Sequence, residues 1–247
     1  MSASPAPNRA PGGPESTGAP RPRVVLLTGF DAFGGDALNP SASLVEALDG
    51  QALDGQALDG QALDGWRVAG GLLPTVFGRS LDELHRLLDR HRPALVLCTG
   101  LAGGRPALSL ERVAININDA RIPDNAAAQP IDTPVVAGAP AAYFSTLPIK
   151  AMRAAIEAAG VPAEISQTAG TFVCNDVFYG LMHALHSRSD LHGVRGGFMH
   201  VPWLPGQGTP SLALQPLVQG THAALACAIA HITQGRDDDR SAGGALH

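Results

Sequence analysis

The sequence predicts an α/β fold: one domain built as a three-layer α/β/α sandwich around a mainly parallel central sheet. Three observations predict it. Short continuous apolar runs at residues 24–27 and 94–98 have the composition of strands covered on both faces. Stretches with apolar residues at helical spacing alternate with such runs, the order that builds a parallel sheet. Both runs end in glycine-rich turns, at 28–35 and 99–105, and sheets of this kind carry function at the carboxyl ends of their strands. A length of 247 residues, 45% of them apolar and 16% charged, suits one domain with a substantial core.

Taken in order, residues 1–22 carry Pro5, Pro7, Pro11, Pro14, Pro20 and Pro22 among Ala, Gly and Ser. That stretch holds too little apolar surface to repay ordering, and it reads as a disordered arm. After the strand at 24–27, Gly29 and Gly34 have the GxxxxG spacing of a phosphate loop, but Gly35 and Asp36 stand where such a loop needs Lys and Ser/Thr. A nucleotide-binding module on the Gly29–Gly35 turn is therefore the alternative and not the leading reading. Phe30 and Phe33 offer aromatic faces to a flat uncharged ring or pack into the core, and the sequence leaves both open. Asn39-Pro40-Ser41 starts a helix, with Asn39 or Ser41 as its cap.

Residues 46–65 read EALDG, QALDG, QALDG, QALDG. A period of five advances each leucine by about 140° around a helix. Leu48, Leu53, Leu58 and Leu63 would then share no face, so residues 51–65 are expected to form a surface insertion. A strand near Val68 leads to Leu72-Leu73-Pro74-Thr75, and residues 79–91 form an amphipathic helix with Leu81, Leu84, Leu87 and Leu88 inward. The strand at 94–98 packs Cys98, and alternation from Leu110 to Asn118 predicts one further strand. Residues 126–142, rich in Ala, Pro and Gly, read as a long surface loop able to cover a site. A helix at 147–159 stopping at Gly160, strands at 163–168 and 196–202, a closing helix at 215–234 and a polar tail at 235–247 complete the chain.

The stretch Ala-Gly-Thr-Phe-Val-Cys-Asn-Asp, from residue 169, puts Cys174 in the first turn of a helix marked by Val177, Phe178, Leu181, Met182 and Leu185. Alone, Cys174 reads first as a buried apolar residue. With a cationic neighbour, the helix N-terminus would instead favour its thiolate, as a nucleophile needs. A base must then come from elsewhere, and among nine histidines His200 stands at the end of a glycine-led strand, at the same sheet edge. His183 and His186 share a helix face near His192, but no acidic ligand lies at metal spacing, so neither metal nor cofactor is expected.

Composition narrows the partners. A net charge of -5 offers no basic patch for nucleic acid or an anionic membrane. No run approaches the ~18 apolar residues of a membrane span, and residues 1–22 lack the apolar centre of a signal peptide. Cys98, Cys174 and Cys227 lie far apart, which argues against a disulfide framework and for a reducing, cytoplasmic setting.

In order along the chain, TGFDAFGG, NPS, LPTVF, AGGRPALSLERVAININDARIPDN, LPIK, TAGTFVCNDVFYGLMH and GGFMHVPWLP resemble the pyroglutamyl-peptidase I (pyrrolidone carboxyl peptidase) family of cysteine peptidases, over about residues 23 to 232. The resemblance implies a phosphorylase/hydrolase-like sandwich in one peptidase domain, 23–234. It also implies a cysteine exopeptidase that removes N-terminal pyroglutamate from peptides, and a homo-oligomer, dimer or tetramer. It makes Cys174 the nucleophile, His200 the catalytic histidine and Glu111 the acidic third member, with Asp124 competing for that orienting role. Phe30, Phe33, Thr75, Ile122, Phe172 and Val173 match positions lining the pyroglutamyl pocket, and Arg121 is a candidate oxyanion donor. Leu101 departs from the pattern, standing where many relatives have Gln. The alternative class is a catalytically inactive or nucleotide-binding α/β module.

Overall fold

Strand β1 (Val24–Phe30) is buried along its whole length and sets the axis of the sheet. The computed structural model describes residues 23–53, 63 and 65–244; the predicted arm at 1–22 and most of the 51–65 insertion lie outside the described residues. Helix α1 (Pro40–Leu48) begins where predicted, with Asn39 as cap accepting a hydrogen bond from the Ser41 amide at 3.1 Å and Pro40 opening the first turn. It packs hard on β1: a Cβ on Gly29 would come within 2.4 Å of the Ser41 carbonyl oxygen.

The chain continues through β2 (Arg67–Leu73), α2 (Arg79–His91), β3 (Leu95–Leu101), β4 (Leu108–Glu111), β5 (Val113–Ile115), β6 (Ala142–Phe144), α3 (Ile149–Ala158), β7 (Ala163–Ser166), α4 (Val173–Ser187), β8 (Arg195–Val201) and α5 (Leu214–Gln234). The main sheet has the order β2-β1-β3-β8-β4-β7. Strands β2, β1, β3 and β8 are mutually parallel, while β4 runs antiparallel to β8 and parallel to β7. The last strand in sequence is thus central in space.

Strand alternation divides the core into two layers. Val25, Leu27, Leu95, Leu97, Met199 and Val201 face α1, α3 and α5, whereas Leu26, Phe30, Val96, Cys98 and Phe198 face α2 and α4. His200, two residues beyond Phe198, points into the second layer with its ring 4.9 Å from the Phe198 ring.

Three expectations need correction. The single strand predicted over 110–118 is two, broken at Arg112. The four residues of β4 are all buried between β8 and β7, after which the Arg112 side chain binds Gln167 and the Gly243 carbonyl and the chain leaves the sheet. Strand β5 then pairs with β6 in a separate ribbon. The repeat leucines are not all on the surface: Leu53 and Leu63 are 0% and 1% exposed and join the α1 layer beside Trp66. Backbone bonds from Leu53 N to Trp66 O and from Trp66 N to Leu63 O tie both leucines to Trp66. The loop at 126–142 does not cover the site cavity, because Asn116 holds Val136 and Ala139 while the Tyr179 hydroxyl donates to Pro140, tying it to α4 instead.

Candidate active site

Helix α4 begins at Val173 with Phe172 in an extended cap conformation, which places Cys174 second in the helix, as predicted. The next two side chains fasten this turn. The Asn175 carboxamide accepts from Ile115 N and donates to the carbonyls of Ile115 and Ile117, at 2.9–3.0 Å. Asp176, 2% exposed, accepts from Asn118 at 2.8 Å and from the Ser80 hydroxyl at 3.4 Å, and burial raises its pKa. The helix mouth is therefore fixed to both the β5 segment and the start of α2.

The sulfur fills a space that a glycine leaves open. A Cβ on Gly100 would lie 2.8 Å from Cys174 Sγ, 3.0 Å from Phe198 and 3.2 Å from Phe30. Gly100 is the registered partner of His200 across the parallel pair β3–β8. Registered partners project to the same face of a sheet, so the thiol rests over the position beside the imidazole. The His200 ring, 4% exposed, holds its Nδ1 2.7 Å from Glu111 Oε1. With Nδ1–H donating to the carboxylate, Nε2 of the neutral ring is left as the proton acceptor.

Asp124 does not compete for this place. Its carboxylate accepts from the amides of Phe77, Ala126 and Ala128 at 2.8–2.9 Å and is spent on its own turn. Arg121 is exposed, and among the described residues it bonds neither His200 nor Glu111.

A cavity of about 120 Å³ opens onto the sulfur, lined by Phe30, Phe33, Thr75, Phe172, Val173 and Cys174. Phe172 packs edge-on against Phe77 and tilted against Phe33, both at 5.2 Å between ring centroids. Thr75 is held by Asp31, whose Oδ1 accepts from both its amide and its hydroxyl. Ile122 is not among the lining residues: it sits on the exposed 121–123 bend and is 42% exposed. Asp36, Leu38, Asn39 and Leu101 complete the wall. Sequence reasoning singled out Leu101 there and missed the other three, although all lie in the turn after Phe33.

The electrostatics correct one expectation. The helix mouth does not leave Cys174 ionised at rest: burial pushes its thiol up to about 12, the Glu111 charge adds to the rise, and only Arg105 opposes it. The residue keeps some exposure where it meets the cavity, but a bound substrate would displace that water, so the upward direction holds in the reacting complex. Burial also lowers the His200 pKa, against the hydrogen bond and charge of Glu111. The pair at rest is a neutral thiol beside a neutral base.

Residues 23–231 match the family model described as pyroglutamyl peptidase. The chain belongs to the pyroglutamyl peptidase family. A pyrrolidone-carboxylate peptidase of Cupriavidus necator is 54% identical over 230 residues, covering 91% of this chain and 100% of the relative. One from Klebsiella pneumoniae is 48% identical, covering 90% and 99%. Among solved structures, pyroglutamyl peptidase I of Bacillus amyloliquefaciens aligns with a TM-score of 0.80 at 40% identity, and pyrrolidone carboxyl peptidase of Thermococcus litoralis with 0.80 at 34%. Each of the two alignments covers 89% of this chain and 99% of the other. This is a family of cysteine-type peptidases, and a thiol, a base and a carboxylate beside an apolar cavity are the parts such chemistry requires.

Proposed function

We propose that this chain is a cysteine exopeptidase that removes an N-terminal pyroglutamyl residue from peptides, using Cys174 as nucleophile, His200 as base and then acid, and Glu111 to orient His200. The observation that supports the reading is the register of Gly100 with His200: the Cys174 sulfur lies over Gly100, the position beside the imidazole bound to Glu111, at the mouth of an apolar cavity.

The chemistry follows from the two raised barriers to charge. His200 Nε2 takes the thiol proton as the sulfur attacks the carbonyl carbon joining pyroglutamate to the next residue, so the thiolate exists only while it is being consumed. The resulting oxyanion falls beside the first turn of α4, where amides such as that of Cys174 point outward, and Arg121 is the side chain proposed to assist them. Collapse expels the shortened peptide as an amine that takes the proton from His200. Water then attacks the thioester with His200 again as base, releasing pyroglutamate and the free thiol.

Phe30, Phe33, Thr75, Phe172 and Val173 suit the lactam ring, which is flat and uncharged. An unblocked ammonium would lose its hydration against the Phe30, Phe33 and Phe172 rings. The nucleotide alternative finds no support, because the Gly29 turn is closed by α1 and the Phe30 amide is already bound to the Ser41 hydroxyl. Hydrolysis of pyroglutamyl, prolyl and glutamyl amides tests the proposal: the wild type should release the fluorophore from the pyroglutamyl amide alone, and Cys174→Ala should abolish release while retaining the fold. Unchanged turnover in that variant would end the assignment.

We read the peptidase domain as residues 23–234 and its setting as a cytoplasmic homo-oligomer, dimer or tetramer. Three free cysteines support a reducing compartment, and light scattering of the purified chain tests the assembly. No helix of the described residues is long and apolar enough to cross a membrane.

A further inference from the structure

Arg105 has no part in the mechanism above, yet it touches it. It ends the glycine-rich turn after β3, and its Nη1 donates to Glu111 Oε1 at 2.8 Å, the same oxygen that receives His200 Nδ1 at 2.7 Å. Its Nη2 donates to the Thr168 carbonyl at 3.2 Å, in the segment between β7 and Cys174. Glu111 is 0% exposed, and its Oε2 has no partner among the described residues. Two donors converging on one oxygen therefore hold the whole carboxylate. A buried carboxylate facing a neutral imidazole needs a counter-charge, and the guanidinium in contact supplies it.

We propose that Arg105 is a positioning residue for the peptidase reaction, clamping the Glu111 carboxylate toward His200 and tying it to the segment that delivers Cys174. The inference rests on the cysteine-peptidase reading. The planar guanidinium spans the Glu111 carboxylate and the Thr168 carbonyl at once, a reach that a point charge on a flexible stem does not reproduce. It is also the outermost member of the group: its side chain is 28% exposed, against 5% for His200 and 0% for Glu111.

The charged groups that act on His200 are Glu111 from β4 and Arg105 from the turn, and Cys174 from α4 lies over the neighbouring position, Gly100. Glu111 favours the imidazolium and Arg105 disfavours it, while their effects on the Cys174 thiolate have the opposite signs. Removing Arg105 leaves Glu111 uncompensated. His200 then releases its proton at higher pH, and Cys174 holds its proton more tightly.

The test compares wild type, Arg105→Gln and Arg105→Lys. In the glutamine variant kcat should fall about tenfold, the order found when a group orienting a functional imidazole is removed. KM should stay within about twofold, and the acid limb of kcat/KM should move to higher pH. The lysine variant should keep the limb near its original position with a reduced kcat. An unmoved limb or an unchanged kcat in the glutamine variant overturns the proposal. If that variant does not fold, a wild-type kcat in the lysine variant overturns it instead. Iodoacetamide alkylation of Cys174 against pH needs no peptide substrate and should slow in the glutamine variant at a given pH. It separates the two readings: an inert wild type whose alkylation still responds to Arg105 removes the substrate assignment, whereas an active wild type indifferent to Arg105 removes the positioning role.

Discussion

Cys98 on β3 and Cys174 at the mouth of α4 meet the same layer of the core from opposite sides, and burial pushes both thiols up to about 12. Resting acidity does not tell them apart. Cys98 is 0% exposed between β1 and β8. Cys174 meets a cavity and lies over the partner position of a histidine already bound to a carboxylate. What sets Cys174 apart is its access to a cavity and an imidazole at the next position, and the helix terminus supplies neither.

The sharpest way to break that contrast is to disable the acceptor while keeping both sulfurs. Glu111→Gln should lower kcat by about 10²–10⁴-fold, the range expected when the group that orients a triad histidine becomes an amide. The sign on pH follows from the same contact. Glu111 raises the His200 pKa, so its loss lowers it, and the acid limb of kcat/KM should move down. An upward move would contradict the assigned roles, and Arg105→Gln should shift the limb the other way.

A smaller effect tests the space. Gly100→Ala places a methyl 2.8 Å from the Cys174 sulfur with the Phe198 and Phe30 rings close behind, so the sulfur must shift. A displacement of that order should cost about tenfold to a hundredfold in kcat, and undiminished turnover would show that the sulfur does not need this seat. The mildest change sharpens the comparison from the other side. Cys98→Ala should leave kcat within about twofold and cost about 1 kcal/mol in a denaturant titration. In the native wild type, iodoacetamide should label Cys174 and spare Cys98, at a rate still climbing above pH ~8.5, where an ordinary thiol levels off. Equal labelling of the two would erase the distinction drawn here.

Much of this was legible in the sequence because the signals were local. Helix α2 falls on the predicted 79–91, and Cys174 falls in the first turn of α4, since apolar spacing alone sets both. The apolar runs at 24–27 and 94–98 likewise fall within the two strands that carry the Gly29 and Gly100 turns. What escaped depends on partners distant in the chain. Alternation from Leu110 to Asn118 does not record that Glu111 ends one sheet and Val113 starts another, because the pattern continues across the break. Leu53 and Leu63 are buried by Trp66 and α1 and not by any face of their own repeat. Arg105 read as the polar end of a glycine turn, and only the contact with Glu111 gives it more to do. The resting state of Cys174 escaped for a similar reason: the helix N-terminus is visible in sequence, while the burial that raises the thiol is a property of the assembled core.

The position of β8 has a structural consequence. Five of the six strands of the main sheet precede it in the chain, yet they fall into two separate groups, β2-β1-β3 and β4-β7, that only β8 joins. His200 rides on that keystone, so the imidazole that meets Glu111 belongs to the same element that joins the two groups. A chain cut before Arg195 would keep Cys174 and Glu111 yet lose both the imidazole and the strand that joins the two groups.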